Sequence, residues 1–143
     1  MKKTFAEIRK ELSSYSETIK FDSSSDVQHR FEVEELKHAD EFKRSLDQKC
    51  RDKIESVIEA ASERIDQQIF KKLRDDIWEF RINHNGIQYR FLAFWNRIHE
   101  KSYVIITHGF VKKTGKVPRK EFERASDIRL HYLQKANNNE KER

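Results

Sequence analysis

The stretch Ile77-Trp78-Glu79-Phe80-Arg81-Ile82-Asn83-His84-Asn85-Gly86-Ile87-Gln88-Tyr89-Arg90-Phe91-Leu92-Ala93 holds two alternating runs joined by Asn-Gly. Alternation with a period of two is the mark of a strand, because successive side chains leave opposite faces of a sheet. Asn-Gly suits a type I′ turn, in which both central residues need positive φ. With the turn on those two residues, His84 faces Ile87, Ile82 faces Tyr89 and Arg81 faces Arg90. Trp78, Phe80 and Ile82 then share one face with Tyr89, Phe91 and Ala93, while Glu79, Arg81, Arg90 and Leu92 share the other. Like charges placed directly opposite destabilise a sheet. Two readings of the arginine pair follow. Either an anion sits between the guanidiniums, whose forks fit phosphate oxygens, or Glu79 bridges one arginine and the other turns to solvent.

Working outward toward the C-terminus, Ser102–Phe110 carries the β-branched run Val104-Ile105-Ile106-Thr107. With Ile77–Asn83 and Gly86–Asn96 it makes a three-stranded meander. Gly109 and Gly115 read as marks of a flexible loop. Lys112, Lys113, Lys116, Arg119, Lys120 and Arg124 crowd the segment that follows. A meander returns this segment to the flank of the arginine pair, where several phosphates could be gripped in a salt-dependent way. Phe110 and Tyr89 are candidates for base stacking. His108 is a candidate for proton transfer, or else a hydrogen-bonded residue of the sheet. Pro118 fits the first turn of a final helix, with Phe122, Ala125, Tyr132 and Leu133 inward. Residues 137–143 read as a disordered tail.

Toward the N-terminus, neither glycine nor proline occurs before Gly86, so long helices are expected. Val27–Leu36 alternates, with His29, Phe31 and Val33 on one side, and reads as a half-exposed strand. Asp40 is the expected cap of a helix lined by Phe42, Leu46, Cys50, Ile54, Val57, Ile58, Ala61 and Ile65. A break near Arg64–Asp66 and a second helix through Ile69, Phe70 and Leu73 would complete a helical hairpin. Phe5, Ile8, Leu12 and Tyr15 recur at helical spacing, and a Ser-rich linker follows. The expected organisation is a helical extension over 1–25, a main domain over 26–136 and the tail. The fold class is α+β.

Bulk properties narrow the function classes. The 143 residues suit one domain, and ten Phe let a small core bury much apolar area. No run approaches the roughly 20 apolar residues of a membrane span, and no apolar signal core follows Lys2-Lys3. The single cysteine, Cys50, allows neither an internal disulfide nor a cysteine-based zinc site. A cytoplasmic protein is expected. Residues 1–76 hold 16 Lys/Arg against 18 Asp/Glu, and residues 77–143 hold 14 against 7, so balances of −2 and +7 make up the net +5. The positive half points to an anionic partner, nucleic acid first. There is no P-loop, and acidic residues do not cluster in the basic half as two-metal nucleases require. The expected chemistry needs no metal and no cofactor.

Several ordered segments resemble one family. Ile77–Ile82, Tyr89–Leu92, His108-Gly109-Phe110-Val111-Lys112-Lys113-Thr114, Lys116-Val117-Pro118 and Glu121-Phe122-Glu123-Arg124-Ala125 are similar to the phage-derived HigB-like branch of the RelE/ParE toxins. That pattern runs W-E-L-R-I, Y-R-I/V, H-G-F-x-K-K-T-x-K-T-P and E-I-x-x-A. The likeness covers about residues 70–134, and Val117 departs from it where Thr is common. It implies a RelE-like fold, with a small antiparallel sheet, a helical hairpin packed on it and a C-terminal helix. It also implies a toxin that cleaves messenger RNA on the ribosome, and a neighbouring helix-turn-helix antitoxin through which alone operator DNA would be bound. Arg81, Arg90, Lys112 and Lys113 match the family's strand arginines and basic loop. Two alternatives remain open within this resemblance, a gyrase inhibitor of the ParE kind and an RNA-binding relative without activity.

Overall fold

The computed structural model describes residues 29–141; the helix and linker expected over residues 1–25 lie outside them. The order of elements is β1 (Glu32–Glu35), α1 (Lys37–Arg44), α2 (Gln48–Glu63), β2 (Phe70–Arg74), β3 (Ile77–His84), β4 (Ile87–Ile98), β5 (Lys101–Lys112) and α3 (Arg119–Lys141). The fold is α+β. Its five strands run in the order β1-β5-β4-β3-β2, all antiparallel except β1, which lies parallel to β5.

The Asn-Gly turn sets the register. Asn85 and Gly86 have φ of 52° and 78°, as a type I′ turn demands. Arg81 pairs with Arg90, Ile82 with Tyr89 and His84 with Ile87. The face carrying Phe80, Ile82, Tyr89, Phe91 and Ala93 packs against α1 and α2 through Ala39, Cys50, Ile54, Val57, Ile58 and Ala61. Phe31, Phe70, Trp78, Phe80 and Trp95 form an aromatic knot there, with Phe70 stacked on Phe80 at 4.3 Å. The other face is covered in part by α3, whose Ala125, Phe122 and Tyr132 meet Ile77, Leu92, Phe94 and Ile105.

Three local expectations are corrected. The segment through Ile69, Phe70 and Leu73 is a strand, β2, not a second helix. Ordinary alternation sends Phe70 to the aromatic knot and Leu73, three residues on, to the α3 side, a spacing that a helix template also fits. The helical pair is divided earlier, at residues 45–47, and Asp47 is the cap, accepting from the Cys50 amide at 2.8 Å; Asp40 sits inside the first turn of α1 instead. Residues 137–141, expected as tail, continue α3.

A bulge in β5 decides what the second face carries. Leu92 pairs with His108 but Ala93 with Ile106, so Thr107 is an extra residue. Its hydroxyl donates to the Leu92 carbonyl at 3.1 Å. Without the bulge, His108, Phe110 and Lys112 would follow Ile106 onto the helical side. With it they join Arg90, and Gly109 falls under α1. A Cβ there would lie 2.6 Å from both Phe42 Cδ2 and Phe91 Cε1, so Gly109 marks a close approach of Phe42 to the strand rather than a flexible loop. Gly109→Ala is expected to lower stability by about 1–3 kcal/mol through overpacking, measured as a lower urea midpoint with an unchanged slope.

Candidate functional site

The uncovered part of the second face, between β2, the centre of β3 and the loop entering α3, is a cleft of about 410 Å³. Strand pairing aligns Lys71 with Glu79, Glu79 with Leu92, Arg81 with Arg90 and Gln88 with Lys112, so one row of side chains on each strand supplies the floor. Seven cations line the cleft, Lys71, Lys72, Arg74, Arg81, Lys112, Lys116 and Arg119, against a single carboxylate, Glu79. Phe122 forms part of the wall, and the Arg74 guanidinium lies 5.0 Å from the centre of its ring. So dense a set of like charges repels itself and draws anions.

The arginine pair is less symmetric than the sequence implies. Both side chains share the face and both approach Glu79, Arg81 Nε at 3.7 Å from Oε1 and Arg90 Nε at 4.0 Å from Oε2. Arg81 is a third exposed and borders the cleft. Arg90 is 2% exposed, and its terminal nitrogens donate to the Tyr89 carbonyl and to Gln88 Oε1 at 3.0 and 2.8 Å. Arg90 is thus a fixed positive charge behind the floor, while Arg81 is the group that can touch a ligand. Lys112 feels both. Burial and Arg90 hold its pKa below the usual lysine range, Arg81 and Lys71 add to this, and Glu79 partly opposes them.

Other sequence candidates are spread more widely. Lys116 and Arg119 line the cleft, Arg119 also donating to Glu123 at 2.8 Å. Lys113, Lys120 and Arg124 are exposed beside it but not among its lining residues. Phe110 is half-buried on the correct face, stacked on His108 with ring centres 5.8 Å apart. Tyr89 lies on the opposite face, 6% exposed, where a hydrogen bond to Cys50 and then burial raise its pKa. It is not placed to stack on a base in the cleft.

Sequence reasoning missed Lys71, Lys72 and Arg74, since a helix was expected where β2 forms; the available signal was the strand-like row of charges before the Asp75-Asp76 turn. It also missed a grouping on the helical side. His29, Glu59 and Glu63 bring ligand atoms within 4.8 Å of one another. His29 Nε2 lies 2.7 Å from Glu59 Oε1, so a hydrogen bond tying the segment before β1 to α2 accounts for the arrangement. Among the described residues no helix is long and apolar enough to cross a membrane.

Comparison with known proteins gives one match. The family model "Phage derived protein Gp49-like (DUF891)" covers residues 40–139, from within α1 to near the end of α3 and including the whole cleft. No curated protein and no solved structure matches the chain.

His108 is 1% exposed beneath the first turns of α3. Its Nδ1 lies 3.0 Å from the Thr107 hydroxyl and its Nε2 3.8 Å from Glu121. Burial pushes its pKa down to about 4, with Arg124 and His38 adding to the effect. The ring is therefore neutral at pH 7 and shut off from solvent. Because the folded pKa lies below the ordinary 6.5, the unfolded chain binds more protons between those values, and stability is lost as pH falls through them. The loss is about 3 kcal/mol by pH 4. Relative to pH 7.5, His108→Gln should lose about 3 kcal/mol less than the wild type at pH 4 in urea unfolding.

Proposed function

The chain belongs to the phage-derived Gp49-like family, which is associated with the toxins of toxin–antitoxin pairs, and we propose that it is such a toxin, one that cleaves messenger RNA. The observation that carries this reading is the cleft, in which seven cations from three separate segments face one carboxylate. A polyanion with closely spaced phosphates satisfies that many positive groups at once, and single-stranded RNA does so while leaving its bases free. One carboxylate among seven cations is a poor ligand set for a divalent ion, so the reaction proceeds through the protein's own groups.

The chemistry follows from the nucleophile that RNA carries. The ribose 2′-hydroxyl attacks the adjacent phosphorus, a 2′,3′-cyclic phosphate forms, and the 5′-oxygen leaves. Arg81 contacts the non-bridging oxygens as charge grows on them, and the buried Arg90 adds a fixed positive potential from below. Lys112, whose pKa both arginines help to lower, gives its proton to the leaving oxygen, for which a lowered pKa is an advantage. Lys71, Lys72, Arg74, Lys116 and Arg119 hold flanking phosphates, and Phe122 offers a face to a base. A toxin of this kind acts on translating ribosomes and is held silent by a partner antitoxin, a helix-turn-helix protein that carries the pair to operator DNA.

Arg81→Ala and Lys112→Ala should each reduce cleavage by about 10²–10³-fold and relieve growth arrest, with urea unfolding within about 0.5 kcal/mol of wild type. Primer extension after induction reads the cuts, and the new 5′ ends should carry a hydroxyl. Intact messages accompanied by DNA breaks would overturn the reading in favour of a gyrase poison.

A further inference from the structure

On the premise that the cleft cleaves RNA, we infer that Glu79 is the catalytic residue that accepts the 2′-hydroxyl proton, two guanidiniums standing beside its carboxylate without occupying its lone pairs. Glu79 is 4% exposed, at the centre of β3, and is the single carboxylate lining the cleft. A carboxylate serving only as a counter-ion closes hydrogen bonds with its cation, as Glu35 does by accepting from Lys43 Nζ at 2.8 Å on each oxygen. Glu79 does not. Its two oxygens stand 3.7 and 4.0 Å from the nearest guanidinium nitrogens, beyond hydrogen-bonding distance. Glu79 Oε2 and Arg90 Nε are both buried with no hydrogen-bond partner. Leaving such groups unmet costs stability, and a catalytic role is one of the reasons a native structure keeps one.

The other candidates for this step fail on geometry or charge. His108 is sealed beneath α3 and does not line the cleft. The remaining polar lining groups are cations without a free lone pair. The Glu79 carboxylate takes the 2′-hydroxyl proton while O2′ bonds to phosphorus. The bond from phosphorus to O5′ breaks, and the Lys112 ammonium protonates O5′. Glu79 as carboxylic acid and Lys112 as amine then exchange a proton through solvent, restoring both.

A catalytic base and a structural counter-ion predict opposite effects on binding. Cleavage is followed by primer extension in a cell-free translation reaction programmed with one defined message. Binding is measured with a 2′-O-methyl oligonucleotide of the same sequence, which cannot be cut. Glu79→Gln should slow cleavage by at least about 100-fold, yet bind the oligonucleotide as tightly as wild type or more tightly, since a negative charge leaves the cleft. Added formate should restore part of the rate to Glu79→Ala and none to Arg81→Ala. Cleavage by Glu79→Gln within threefold of wild type, or binding that weakens in step with the rate, would overturn the assignment. If Gln does not sustain the fold, Glu79→Asp keeps the charge but withdraws the oxygens, and should cut at least tenfold more slowly; a wild-type rate would overturn the inference. A wild-type protein that leaves the message intact would instead overturn the RNA-cleaving reading itself.

Discussion

Two guanidiniums meet across the β3–β4 ladder with one carboxylate beside them, and much of the molecule follows from keeping them there. The Asn85-Gly86 turn fixes a register that sets Arg81 opposite Arg90. A slip by one residue would carry both to the aromatic side, where no charge could be solvated. The aromatic knot and the α1–α2 pair forbid that slip, because Phe80, Ile82, Tyr89 and Phe91 would then lose their core. The hydrophobic face thus acts as the lock for the charged one. Arg90 gives up its exposure to backbone and side-chain oxygens, and Arg81 keeps it. Repulsion between the pair is lessened by this division, since the buried partner is held by fixed dipoles and by Glu79.

The second lock is the bulge at Thr107. Regular alternation along β5 would have put Lys112 on the helical face, far from either arginine. One extra residue reverses the parity after Ile106 and brings His108, Phe110 and Lys112 into line with Leu92, Arg90 and Gln88. Gly109 is the counterpart of this reversal. It falls where Phe42 and Phe91 need the space of a side chain, so a feature that delivers a lysine to the cleft also closes the core behind it. Packing and site geometry are here one constraint.

The parts legible in the sequence were those with a strict local period. The β3–β4 hairpin, its register and its facing arginines followed from alternation and one turn dipeptide, and the final helix from Pro118 and its apolar stripe. Elements whose period is broken were misread. In β2 the register shifts between Lys72 and Arg74, while Phe70 and Leu73, three residues apart, face opposite sides of the sheet by ordinary alternation, a spacing that a helix template also fits. The break at residues 45–47 hid inside a continuous apolar stripe because Leu46 packs against the same core. The β4–β5 turn uses His99 and Glu100, both at positive φ, without the glycine that would announce it. These misreadings removed Lys71, Lys72 and Arg74 from view, and with them three of the cleft's seven cations.

The charges of the cleft also explain why so small a domain keeps a site at odds with its own stability. Seven cations around one carboxylate raise the energy of the empty protein, and a buried arginine–glutamate contact outside hydrogen-bonding distance returns little of what its desolvation costs. An apolar pair of equal size would fill the same space at less cost to folding. What the charged pair supplies instead is a preset field: Arg90 is held in place by its hydrogen bonds, and burial and the arginines lower the pKa of Lys112. In water such a field would be assembled anew at each encounter by reorienting solvent. Here folding assembles it once, and the core on the opposite face of the sheet supplies the free energy that keeps it in place.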